Sequence, residues 1–185
     1  MQAYDRLKNL YQKLAGKEKG SHMDLETFVQ RQYLEQILAA ANQRFREMSG
    51  GEFELCLYDL ENAGEGTNKG LDLMVYSSVT GQKREVTTLS GGESFMAALS
   101  LALGMADSIT DSQAQSSLDM MFLDEGFGSL DDHARGQAVR VLKEMAGSEK
   151  LIGIISHVTE LKQDIEDQLV VTKDQNGSHA KWRIG

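Results

Sequence analysis

Hydrophobic residues recur along the chain in two rhythms, one helical and one extended. Tyr4, Leu7, Tyr11 and Leu14 step by three and four, a seam that suits either a coiled coil or a plain amphipathic helix. GKEKGSHM, Gly16 to Met23, interrupts it, and its GSHM is also what cleavage of a common affinity tag leaves behind. From about Asp24 to Met48 the helical rhythm returns, with Leu34, Ile37, Leu38, Ala41, Phe45 and Met48 on one apolar face, and Ser49-Gly50-Gly51 stops it. The period then falls to two. EFELCLYDL and LDLMVYSSV alternate over their length around ENAGEGTNKG, which predicts two strands joined by a glycine-rich hairpin loop.

Thr87 to Asp107, TTLSGGESFMAALSLALGMAD, sets a polar turn against a helix whose Met96, Leu99, Leu103 and Ala106 face a core. TDSQAQSS is a polar connector. MMFLDEGFGSLDDHARGQAVRVLKEM predicts a short strand ending in two carboxylates, a glycine turn and an amphipathic helix. LIGIISHVTELKQDI repeats the order of strand, polar tip and helix, and LVVTKDQNGSHAKWRI closes as a hairpin in which Trp182 packs. Strands that alternate with helices predict an α/β fold with a partly parallel sheet. In such sheets ligands gather at the carboxyl ends of the strands, here the tips Asp124, Glu125, Ser156 and His157.

Composition narrows the class. At 185 residues, with 41% hydrophobic and 25% charged residues, the chain has enough apolar surface for a globular core. No run approaches the ~18 apolar residues of a membrane span, and the charged, periodic start is unlike a signal peptide, so a cytoplasmic protein with no membrane partner is expected. The net charge of −9 argues against strong nucleic-acid binding by this chain alone, although a larger assembly could contact DNA elsewhere. Arg44 with Arg46, and Lys69 with Lys83 and Arg84, read as solvated faces. The lone Cys56 excludes an internal disulfide and reads as a buried, inert thiol.

The candidate chemistry lies at the helix mouth and the strand tips. The first amides of a helix lack partners and its dipole leaves that end partly positive. Ser90, Gly91 and Gly92 therefore suit an anion such as phosphate, or else form an ordinary capped entry into a core helix. MMFLDE reads as a magnesium and water site, with Asp124 toward the metal and Glu125 polarising a water, or as a solvated strand terminus. His157 at the next strand's tip reads as a neutral imidazole that touches a terminal phosphate and holds the water in line, or as a structural strand-end histidine, while His22, His133 and His179 have no partner at ligand spacing. The glycines at 64, 66 and 70 lead into a strand and lack the Gly-Lys-Ser/Thr ending of a phosphate loop.

The order LSGGE, MMFLDE, SLD and a strand ending in Ser-His resembles the C-terminal half of an ABC-type ATPase head of the P-loop NTPase superfamily. Transporters of that superfamily usually carry Gln and Pro where this chain has Glu93 and Gly126. LSGGESFMAALSLALGMAD, LDEGFGSLD and GIISHVTEL together resemble the SbcC family, ATPase subunits of a bacterial DNA double-strand-break nuclease complex. The rival is a structural-maintenance-of-chromosomes ATPase, which shares LSGGE but usually lacks the Gly-Phe-Gly at 126–128. The resemblance implies a coiled-coil stump at 1–15, a coil-to-head connector and helix at 16–48, and a C-terminal ATPase lobe at 49–185. It implies ATP-binding roles for Ser90, Gly91, Gly92, Glu93 and the D-loop Asp131, a Mg2+ held by Asp124 through water, and catalysis by Glu125 with the switch histidine His157. No G-x-x-x-x-G-K-[ST] occurs in the chain. The implied partners are therefore an N-terminal Walker A lobe of the same protein, a second head in a homodimer, an SbcD-like nuclease subunit and DNA.

Overall fold

The computed structural model describes residues 2–16, 23–59, 70–112, 120–146, 151–175 and 177–185, with the backbone alone for residues 2, 3 and 110–112. It divides into two units, Met1–Leu118 and Asp119–Gly185. Nearly all of the expected hairpin loop, most of the GKEKGSHM tract and most of the TDSQAQSS connector lie outside the described residues.

The first unit begins with α1 (Gln2–Leu14) and α2 (Leu25–Met48). Along α1 the seam residues Tyr4, Leu7, Tyr11 and Leu14 are all exposed. Asp24 caps α2 by accepting the Thr27 N–H at 2.8 Å, and this bond holds its carboxyl below the usual range. Three antiparallel strands follow, β1 (Phe53–Leu57), β2 (Leu73–Ser77) and β3 (Gln82–Glu85), in that order across the sheet. Leu55 stands opposite Val75, and Val75 opposite Arg84, so the three share one face. The unit ends with α3 (Gly91–Ser112), which continues into the first residues of the expected connector.

The core of this unit is the contact of α2, α3 and one sheet face. Leu38, Ala41, Phe45 and Met48 meet Met96, Leu99, Leu103 and Ala106, with Phe53, Leu55 and Leu57 beneath. Helical periodicity and strand alternation place these side chains on facing surfaces, and their burial supplies the main driving force. Gly104 sets the approach of the two helices. A Cβ at that position would lie 2.7 Å from the Ile37 carbonyl oxygen and 2.8 Å from the Ala41 nitrogen, so only glycine lets the backbones come this close. Arg44 pairs with Asp107 at 2.6 Å across the same contact. Asn42 occupies the outer edge of β1: its Nδ2 donates to the Leu55 carbonyl at 2.8 Å, and its Oδ1 accepts the Leu55 N–H at 2.7 Å. Cys56, expected to be buried, is only half-buried because its neighbours Leu55 and Leu57 take the core face; burial still pushes its thiol up.

The second unit contains β4 (Met120–Asp124), α4 (Asp132–Ala146), β5 (Leu151–Ile155), the single turn α5 (Leu161–Asp164), and the hairpin β6 (Gln168–Asp174) with β7 (Gly177–Arg183). β4 and β5 are parallel, Met120 opposite Leu151 and Asp124 opposite Ile155. The Phe122 ring lies over Gly153, where a Cβ would come within 2.5 Å of two ring carbons. Ala138, Val139, Val141 and Leu142 of α4 are buried, whereas Met120, Phe122, Leu151 and Ile155 are exposed. Trp182, expected to pack within the hairpin, stands opposite Leu169 and remains exposed.

Candidate functional site

Parallel pairing brings the ends of β4 and β5 together, and with them two residues far apart in sequence. The Glu125 N–H donates to the Ile155 carbonyl at 2.9 Å, extending the ladder one step beyond Asp124. Glu125 then turns into the left-handed region at φ 60°, followed by Gly126 at φ 96°. A glutamate there costs about 1–2 kcal/mol. The turn ends the strand and sets the Glu125 carboxylate beside the next strand's tip, where its Oε2 lies 2.8 Å from His157 Nδ1. A carboxylate only accepts, so Nδ1 carries the proton and donates. A neutral ring so engaged offers Nε2 as an acceptor; donation from Nε2 to a phosphate oxygen would take the imidazolium. Both side chains are open to solvent, His157 at 80% and Glu125 at 52%. Asp124 is exposed at the strand end beside them. Ser156 turns its hydroxyl inward to accept the Val158 N–H at 3.1 Å.

The turn after Glu125 is firmly built. Phe127 is fully buried, and the Ser129 hydroxyl donates to the Gly126 carbonyl at 2.8 Å. Asp131, expected at a nucleotide, caps α4 by accepting the Ala134 N–H at 2.8 Å. Its exposed carboxylate keeps a second oxygen for other contacts.

The other candidate residues form the mouth of α3 in the first unit. Ser90 and Glu93 make a capping box: Ser90 Oγ accepts the Glu93 N–H at 3.3 Å, and Glu93 Oε2 accepts the Ser90 N–H at 2.7 Å. Gly91 and Gly92 open the helix between them, and among the described residues no hydrogen bond claims the Gly92 amide. The box satisfies helix donors as a plain cap would, while the Ser90 hydroxyl proton stays available to a ligand. Sequence reading missed Arg84, which reaches this mouth from β3. Its Nη1 donates to the Thr88 carbonyl at 2.9 Å, and its Nη2 lies 3.6 Å from Glu93 Oε2. The available signal was a Lys-Arg pair whose arginine stands six residues before an S-x-x-E box.

Among the described residues, no three His, Cys, Asp or Glu side chains form a group that could hold a metal unaided. Asp124, exposed at the strand end, would suit magnesium, an ion that keeps several waters and takes further ligands from a substrate phosphate.

Residues 71–144 match the model of the SbcC/RAD50-like family, Walker B motif. The SbcC subunit of the nuclease SbcCD in Vibrio cholerae is 44% identical over 165 residues, 89% of this chain and 16% of its own length. Its namesake in Staphylococcus saprophyticus is 39% identical over 183 residues, 99% of this chain and 18% of its own length. The chain thus spans less than a fifth of these relatives. In fold it is similar to a solved SMC ATPase structure from work on ATP-driven dimerization and DNA-stimulated activation. That match has a TM-score of 0.64 and 16% identity, and covers 84% of this chain and 88% of the other. No described helix is long and apolar enough to cross a membrane. Taken with the LSGGE mouth and the carboxylate-tipped parallel strands, these likenesses show an α/β lobe of an ABC-type ATPase head, and the chain belongs to the SbcC/RAD50-like family, of which it carries the C-terminal, Walker B-bearing half of the head.

Proposed function

We propose that this chain is half of an ATP-driven clamp in the cytoplasm. A Walker A lobe elsewhere in the same protein holds ATP and Mg2+, and the mouth at Ser90, Gly91, Gly92 and Glu93 caps the terminal phosphate of an ATP carried by a second copy. In this reading residues 1–15 are a coiled-coil stump, 16–48 lead into the head, and 49–185 are its C-terminal lobe. Asp124 holds the magnesium through water, and the bound ion offsets phosphate charge. Glu125 accepts a proton from, and so orients, the attacking water, and His157 keeps the Glu125 carboxylate aimed. Asp131 adds a contact at the nucleotide with the oxygen its cap leaves over. Closure and reopening of paired heads would control an SbcD-like nuclease subunit at DNA ends and hairpins.

One observation carries the reading: the 2.8 Å contact of Glu125 and His157 at adjacent parallel strand tips, beside Asp124. A solvated strand end has no use for a glutamate in the left-handed region aimed at a histidine. The test is Ser90→Arg in the full-length protein. It should leave ATP binding by each head intact, yet abolish ATP-dependent dimerisation in sedimentation, and hydrolysis with it. The 185-residue chain alone, lacking a phosphate-cradling loop, serves as the non-binding control in calorimetry. An ATP-induced dimer of the Arg variant would remove the clamp role. A plain cap predicts only ~1 kcal/mol of lost stability.

A further inference from the structure

β3 reads Gln-Lys-Arg-Glu, too polar to look like part of a core, yet its pairing puts Arg84 on the buried face. Val75, directly opposite, is fully buried, and Leu55 lies beyond it. An arginine tolerates such a place by laying its stem on apolar surface and carrying its charge to the rim. Here the guanidinium carbon lies 5.5 Å from the centre of the Phe53 ring, which stacks on Phe45 of α2 with centroids 6.2 Å apart. From that seat Nη1 donates to the Thr88 carbonyl and, at 3.3 Å, to the Thr88 hydroxyl, and Nη2 faces Glu93. Hydroxyls organise the same turn: Thr88 Oγ1 donates to the Glu85 carbonyl at 2.6 Å, and Thr87 Oγ1 to the Glu85 carboxylate at 3.2 Å.

The mouth of α3 has an electrostatic difficulty that Arg84 resolves. The capping box places a glutamate carboxylate on the Ser90 N–H, next to where a phosphate would dock, and two anions at such range repel. A guanidinium 3.6 Å from that carboxylate offsets its charge, while the bond to Thr88 fixes the turn that delivers Ser90. We propose that Arg84 is the positioning residue of this mouth: it neutralises Glu93 and ties the Thr88 turn to the Phe53 and Phe45 rings, so that the helix end meets phosphate as a donor and not as an anion. The proposal rests on the clamp reading above. It assigns Arg84 no contact with nucleotide. Lysine would keep the charge but lose the planar fork that serves Thr88 and Glu93 together.

The experiment uses the full-length protein with magnesium and the non-hydrolysable analogue AMP-PNP. It compares the protein concentration for half-maximal dimerisation with calorimetric nucleotide affinity at a dilution where heads are separate. Arg84→Gln should need about tenfold more protein to dimerise, at unchanged nucleotide affinity, and the defect should shrink as salt screens the exposed carboxylate. Adding Glu93→Gln to Arg84→Gln should recover most of the loss, because the amide still caps and the charge is gone. A merely structural arginine would show neither the rescue nor the salt effect. Dimerisation of Arg84→Gln at the parent concentration, or a double variant no better than the single, overturns the proposal. Arg84→Lys guards against misfolding of the Gln variant: it should fall within about threefold of the parent, and a loss as large as tenfold counts against charge compensation. Ser90→Arg runs alongside; if it dimerises, the clamp reading itself fails, whatever Arg84 does.

Discussion

The two units solve the problem of presenting polar groups at a helix or strand end in opposite ways. In the first, the mouth at Ser90 stands beside a buried core, and its carboxylate and hydroxyl cap the helix while Arg84 sits against the carboxylate. In the second, no residue of β4 or β5 is buried, although parallel sheets are normally covered on both faces, and the Glu125–His157 pair is exposed at their tips. The difference teaches where pre-organisation comes from. A signature helix can be set by local capping and packing alone. The Glu125 carboxylate depends on a backbone turn and one neighbour.

The most severe way to break the comparison is to disarm the second unit without touching the first. In the full-length protein Glu125→Gln should lower the ATP hydrolysis rate by about two to four orders of magnitude with ATP binding kept, since the amide holds shape but cannot take a proton. Steady-state phosphate release beside nucleotide calorimetry checks this; a rate within tenfold of the parent would move the base elsewhere. A smaller effect, with opposite sign in the two units, comes from two helical glycines. A Cβ on Gly104 meets backbone of α2 at 2.7 Å, so Gly104→Ala should cost about 1–3 kcal/mol even after a gain of ~1 kcal/mol in helix propensity. Gly136 in α4 has open space around it, so Gly136→Ala should stabilise by about 0.5–1 kcal/mol. Urea unfolding of both proteins decides; equal signs would mean that α2 and α3 do not touch at Gly104.

The smallest effect sharpens the local-capping side of the comparison. The Thr27 N–H lowers the Asp24 pKa in the folded state. The stability this bond contributes is therefore fully present above the unfolded pKa of about 4, and is lost as pH falls through the lower folded value. The difference in melting temperature between the parent and Asp24→Ala should be steady at neutral pH and close below pH ~4. A gap that persists into strong acid would show that the carboxylate is not what caps α2.

Periodicity made the helices and the two ends of the first unit's core legible: Phe45 and Leu103 were assigned to apolar faces and both are fully buried. It could not find β3, because Gln82 to Glu85 has no alternation of apolar residues and joins the sheet through its backbone and one snorkelling arginine. The same gap hid Arg84, which read as part of a solvated patch. Gly104 and Asn42 were invisible for a related reason. Each serves a partner in another element, and a single sequence records which face a residue takes but not what lies opposite it. The strand tips were legible as Asp124, Glu125, Ser156 and His157. The contact between Glu125 and His157 was not, since it needs the register of β4 on β5.

That register also has a consequence in time. The β6–β7 hairpin joins residues that are near neighbours along the chain, and such contacts close early. β4 and β5 pair across about thirty intervening residues, so their closure bears a larger entropy cost and comes late. Glu125 and His157 meet only when that pairing is complete. A refolding chain should therefore regain its helices and its C-terminal hairpin well before Glu125 and His157 come into contact.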